Sequence, residues 1–308
     1  MSAARRPDAG QATREGEQAT PHGEHVTPEE LNTDSSQAAP SQPVQPQPVL
    51  SLPDLIGQGE WRLALATARV QGAPLDLEQA LDAVLTVQSA VRARRYPAAR
   101  QAAAELTPLL PALPEPEGSA LRAQVDPEAL TGALRALDAG QKVTDPAELA
   151  ALLAGALAQP LTRAEALNMQ GILHAVSGEA QQARALLDAA MQADPGHYRA
   201  LTNLGNLEME AGQFAEAEAV YRRVLALNPE YDGGHHNLGV ALRRQGRVGE
   251  GVKSIRRGQQ LSMKRSKDDT NAEMKEQFAQ NPFMRNLRWV LIAVVVLIVF
   301  LVLRGVGG

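Results

Sequence analysis

Apolar residues recur every three or four positions from Leu52 onward, which is the spacing of one buried helical face. No stretch before the C-terminal apolar run alternates apolar and polar residues, so the pattern predicts helices and no strands. Residues 60–71 carry Trp61, Leu63, Ala64, Leu65 and Ala68 and stop at Gly72-Ala73-Pro74. Asp76 opens a longer helix with Leu77, Leu81, Val84, Leu85 and Val91 on one stripe. Pro97 restarts the chain, and 98–110 is helical again. LPEPEGS (113–119) reads as a linker. Two capped helices follow. In the first, 126–140, Asp126 is the N-cap, Pro127 the first residue and Gly140 the stop. In the second, 145–160, Asp145 caps, Glu148 sits at the third helical position and Pro160 terminates.

From residue 164 the pattern becomes periodic. Three blocks of 34 residues, 164–197, 198–231 and 232–265, align without a gap. Gly171, Gly205 and Gly239 hold the eighth position, and Gly178, Gly212 and Gly246 the fifteenth. Ala183, Ala217 and Gly251 hold the twentieth, while Leu187, Tyr221 and Ile255 hold the twenty-fourth. Each block reads as two antiparallel helices. Small residues at positions eight, twenty and twenty-seven (Ala190, Val224, Gly258) let the helices approach, and the fifteenth-position Gly takes a turn with positive φ. Asp194-Pro195 and Asn228-Pro229 are expected to cap and start the next helix. Stacking buries the apolar face that one block cannot bury alone.

This pattern resembles the tetratricopeptide repeat family. LTNLGNLEMEAGQFAEAEAVYRRVLALNPE (201–230) is a near-consensus match, and the third block follows it to Ile255 before Met263 replaces the closing Pro. The resemblance covers about a third of the chain. GQGEWRLALA (57–66) and RARRYPAARQ (92–101) each place aromatic-x-x-Ala after a turn, with Trp61 and Tyr96 35 residues apart, so 51–112 reads as degenerate helical hairpins. The expected architecture is all-α: a superhelical array of three clear repeats plus those hairpins, with a linker and helical pair at 113–163. The family presents ligands on a concave face lined by the first helix of each block. Here the resemblance puts Arg199, Thr202, Asn203, Asn206, Met209 and Glu210 on it from the second block. The third block adds Gly233, His236, Asn237, Val240, Arg243 and Arg244. Of these Thr202, Asn203, Asn206, His236, Asn237, Arg243 and Arg244 are the candidate peptide contacts, because amides and guanidinium groups hold main chain and carboxylates. The basic carboxylate clamp of one subtype does not fit: of its positions only Asn203 matches.

The termini change the picture. Residues 1–50 are rich in Pro, Gln, Ser, Thr and Glu, with 3 Lys and Arg against 7 Asp and Glu, and read as disordered; Thr27, Pro28 and Glu30 could cap a nascent turn. No apolar signal segment opens the chain. Residues 289–303 contain no polar side chain, apart from the ring N–H of Trp289. As helix they measure ~22 Å, short of the ~30 Å hydrocarbon core. Leu287 lengthens the run, Arg288 and Arg304 can snorkel outward, and Trp289 suits the interfacial belt. A single transmembrane tail anchor at 287–305 is therefore expected. From Arg243 to Arg288 there are 12 Lys and Arg against 5 Asp and Glu. This basic excess, including the juxtamembrane segment 266–286, favours anionic lipid headgroups over nucleic acid and keeps the bulk of the chain on the cytoplasmic side of a cell membrane.

Chemistry is sparse. Cysteine is absent, which excludes disulfides and thiolate sites. His235-His236 has no carboxylate or His one turn on at i+4, GQGE (57–60) lacks the Lys-Ser/Thr of a phosphate loop, and no Ser/His/Asp set shows itself. The expectation is a scaffold that recruits a protein partner, neither enzyme nor cofactor or metal binder. The alternative is a structural subunit of a membrane-embedded complex.

Overall fold

The computed structural model describes residues 50–280, with side chains through Ser266. The acidic N-terminal tail with its cap at 27–31, and the apolar span with Arg288, Trp289 and Arg304, lie outside the described residues. Helices run in the order α1 (Leu52–Gly57), α2 (Trp61–Gln71), α3 (Leu75–Arg92), α4 (Tyr96–Leu109), a 3-10 turn (Leu110–Ala112), α5 (Glu117–Gln124), α6 (Pro127–Gly140), α7 (Pro146–Leu152), α8 (Ala154–Ala158) and α9 (Pro160–Val176). They continue with α10 (Ala180–Ala193), α11 (Tyr198–Glu210), α12 (Phe214–Leu227), α13 (Asp232–Arg244) and α14 (Val248–Gln280). No strand occurs among the described residues, and no helix among them is long and apolar enough to cross a membrane.

Side-chain caps set several helix starts. Ser51 and Asp54 form a reciprocal capping box at α1. Asp126 Oδ1 accepts from the amides of Glu128 and Ala129, and Asp145 Oδ1 from that of Glu148. Other boundaries depart from the sequence reading. Gly140 does not stop α6 with a positive φ: it lies buried at the helix end, where a Cβ would come within 2.9 Å of Met169 Cε. The linker contains the start of α5. The second capped helix breaks in two at Leu153, and Pro160 is the first residue of α9.

The repeat geometry follows from its glycines. Gly178, Gly212 and Gly246 have φ of 81°, 75° and 81°. At each turn two amides reach back to the preceding helix, as Gly212 N to Met209 O and Gln213 N to Glu208 O do. The same pair of bonds closes α1 at Gly59 (φ 74°) and α3 at Arg94 (φ 58°). The hairpins before the repeats therefore use the repeat's own turn, with arginine standing once where glycine is the usual residue. At position eight the constraint is contact. A Cβ on Gly205 would lie 2.6 Å from Tyr221 Cε1, and one on Gly171 2.9 Å from Leu187 Cγ. Positions eight and twenty-four are thus packed against each other inside each hairpin.

Asp194-Pro195 and Asn228-Pro229 end helices without capping the next ones. Asn228 Oδ1 accepts from Glu230 N, Asp194 Oδ1 from Gly196 N, and the N-caps of α11 and α13 are His197 and Tyr231. Where Met263 replaces the closing Pro, nothing removes the backbone bond, and α14 runs for 33 residues through much of the basic segment. The core does not divide at residue 164. One buried cluster extends from Leu52 through Leu137 and Leu153 to Leu161, Ala166 and Met169, so α9 belongs both to the preceding helices and to the first repeat.

Candidate functional site

The first helices of the three blocks, α9, α11 and α13, carry a line of amides along their inner faces. Asn237 Nδ2 donates to Asn206 Oδ1 (3.0 Å), Asn206 Nδ2 to Asn203 Oδ1 (3.3 Å), Asn203 Nδ2 to Asn168 Oδ1 (2.7 Å) and Asn168 Nδ2 to Glu165 Oε2 (2.9 Å). Every donor points toward the N-terminal end, and the line terminates on a carboxylate. Hydrogen bonds in series polarise one another, and an anion at the accepting end strengthens the set. Tyr221 Oη also donates to Asn206 Oδ1 at 2.8 Å, joining the inner face to the position-twenty-four packing contact.

The terminal carboxylate is fully buried. Glu165 Oε1 accepts from Arg94 Nε at 2.6 Å and from Tyr96 Oη at 3.0 Å. His197 Nε2 stands 3.1 Å from Oε2, outside hydrogen-bond angles, while its Nδ1 accepts from Ala200 N. Burial opposes ionisation of Glu165, but His197 and Arg94 outweigh it and hold the carboxyl below its usual range. Burial, reinforced by Glu165, pushes the Tyr96 phenol well up. A second arginine crosses the same seam: Arg92 Nε donates to Asp194 Oδ2 at 2.7 Å. Gly196 makes room for it, since a Cβ there would come within 2.5 Å of Arg92 Nη2. Arg92 and Arg94 together fasten the α3–α4 turn onto the first repeat.

Beyond the amide line a groove of about 240 Å³ opens between α11 and α13, lined by Asn206, Met209, Glu210, His236, Asn237 and Val240. Of the expected contacts, Asn206, His236 and Asn237 meet there, and His236 is exposed. Asn203 is half-buried within the amide line. Arg243 and Arg244 are exposed in the last turn of α13 and make no ion pair among the described residues. Thr202 departs from expectation: it is 4% exposed, and its hydroxyl donates to Tyr198 O at 2.7 Å, so it serves α11 itself. His235 Nε2 lies 2.9 Å from Pro229 O, and no group of three metal-ligating side chains occurs among the described residues.

Sequence reasoning missed the Glu165 cluster. Its one visible sign was Arg94, an arginine at the place in a turn where the other hairpins have glycine.

A family model described as tetratricopeptide repeat matches residues 177–238. Protein POLLENLESS 3-LIKE 2 of Arabidopsis thaliana is 42% identical over 59 residues, 19% of this chain. The match spans 14% of that protein's length. Among solved structures, a crystal structure of MamA protein covers 62% of this chain and 95% of its own at 18% identity, with a TM-score of 0.35. Another crystal structure of MamA covers 71% and 99% at 15% identity, with a TM-score of 0.32.

Proposed function

We propose that this chain, which carries tetratricopeptide repeats, is an interaction scaffold tethered to the inner face of a cell membrane by its C-terminal apolar segment. Its repeats hold an extended segment of a protein partner. The observation that carries the reading is the open groove between α11 and α13, where the amides of Asn206 and Asn237 stand beside Met209 and Val240. Asn237 Oδ1 accepts no hydrogen bond among the described residues, and Asn206 and Asn237 each keep a second N–H beyond the one in the amide line. A peptide main chain offers the matching donors and acceptors at its own regular spacing. The tether rests on sequence: fifteen residues without a polar side-chain atom beyond the Trp289 ring N–H, arginines at 288 and 304 long enough to snorkel, and the basic excess ahead of them.

A photo-crosslinking amino acid at His236, inside the groove, is expected to capture a partner in the native cell. The same group at Ala219, exposed on the outer face of α12, is expected to capture none. Equal capture from both positions, or none from His236, refutes the groove.

A further inference from the structure

Taking the inner face as a peptide groove, we infer that its N-terminal end carries a separate pocket for one large apolar side chain. The pocket is built jointly by the first repeat and the helices before it, and the groove therefore selects extended segments that pair an aliphatic or aromatic residue with acidic residues several positions away. The ninth and thirteenth positions, which face the groove, are Asn206 and Glu210 in the second block and Val240 and Arg244 in the third. In the first block they are Ile172 and Val176. Val176 is 81% exposed, an aliphatic side chain with almost nothing covering it. Across from it stand Val143 and Gly140, from the end of α6 and the loop after it, with Met169 at the base. With Ile172, Leu173 and Gln141 they line an open pocket of about 180 Å³. A cavity of about 150 Å³ holds a benzene molecule, so this volume suits a single branched or aromatic side chain.

Arg94 also lines the pocket, but Glu165 claims its Nε, so the site is not an open cation waiting for an anion. Opposite charge is available at the other end of the same face. His236, Arg243 and Arg244 are exposed there, and Glu210 lines the groove beside His236. Two helix spacings of 8–10 Å separate α9 from α13, about 16–20 Å. An extended chain at about 3.3 Å per residue crosses that in roughly five or six residues. The pocket's far wall belongs to no repeat, so a bare array of these three blocks would lack the apolar preference.

The test pans a displayed random dodecapeptide library on the full chain in detergent micelles. Recovered sequences are expected to share one Leu, Ile, Met or Phe about five or six positions from Asp or Glu. A synthetic peptide of the recovered consensus, followed by fluorescence anisotropy, is expected to bind Val176→Glu and Val176→Ser roughly tenfold more weakly. Val176 is exposed, so both variants keep the fold; unchanged circular dichroism verifies it. Arg243→Glu with Arg244→Glu is expected to cost roughly fivefold or more and to flatten the salt dependence. An acidic consensus without an apolar position, or one bound equally by the Val176 variants, overturns the pocket and leaves the groove standing. No enriched sequence at all, or enrichment unaffected by His236→Glu, overturns both.

Discussion

The same chemical change, Gly to Ala, should have opposite signs at two helical sites. Gly132 lies exposed in α6, and a Cβ there meets nothing within 4 Å. Alanine removes backbone freedom from the unfolded chain and is expected to stabilise by about 0.5–1 kcal/mol. Gly205 in α11 gains the same helical benefit, but its new Cβ falls 2.6 Å from Tyr221 Cε1 and 3.1 Å from two further ring atoms. Contacts between carbons are optimal near 3.5–4.0 Å, so one partner must give way by about 1 Å. Tyr221 is 1% exposed and its hydroxyl is tied to Asn206, which leaves the ring no free direction. Overpacking of this kind costs about 1–3 kcal/mol. The net expectation for Gly205→Ala is a loss of about 1–2 kcal/mol, or ~2–8 °C in Tm for a folded region of this size. Thermal melts of the full chain in detergent, followed by circular dichroism at 222 nm, check it. If both variants move Tm in the same direction, the close approach of positions eight and twenty-four does not control hairpin packing.

Glu165→Gln removes the charge that Arg94, His197 and Asn168 face and is expected to cost about 2–4 kcal/mol at pH 7. Because the folded carboxyl titrates below its unfolded value near 4.3, the wild-type advantage is full above that pH and fades as pH falls through the folded value; urea midpoints that stay equally separated at pH 7 and pH 3 refute this. Arg94→Gly relieves a positive φ worth about 1–3 kcal/mol but strands Glu165, and the second effect wins, for a net loss of roughly 1–3 kcal/mol in the same unfolding assay. Deleting 287–308 is expected to release the protein from membranes without altering the helical melt of the array, as fractionation after a high-salt wash would read; a truncated chain that still pellets refutes the tether.

What the sequence disclosed was set by how local each cause is. A positive-φ turn needs glycine, and glycines 34 apart announce the three hairpins at once. Side chains that cap their own helix, such as Asp126 and Asp145, are equally local. Asp194 carried the same signature yet turned elsewhere, because Arg92, 102 residues earlier, reaches it first. The Glu165 cluster draws Arg94 from 71 residues away and His197 from the far end of its own block, and no periodicity records such a meeting. Thr202 was misplaced for a smaller reason: the helical wheel gives its direction, but its hydroxyl satisfies the carbonyl one turn back. In α5 the Pro-rich entry masked a short helix whose Leu121 is buried against the core.

The unbroken run of α14 has a mechanical consequence. Its 33 residues make a rod of about 50 Å, and its first turns are wedged against α13 by Gly251 and Gly258. With no swivel between the last hairpin and Gln280, a small tilt of the hairpin sweeps the far end sideways as a lever does, and a pull on that end arrives at α13 as torque. Anything gripping the chain beyond Gln280 therefore has purchase on the orientation of the groove.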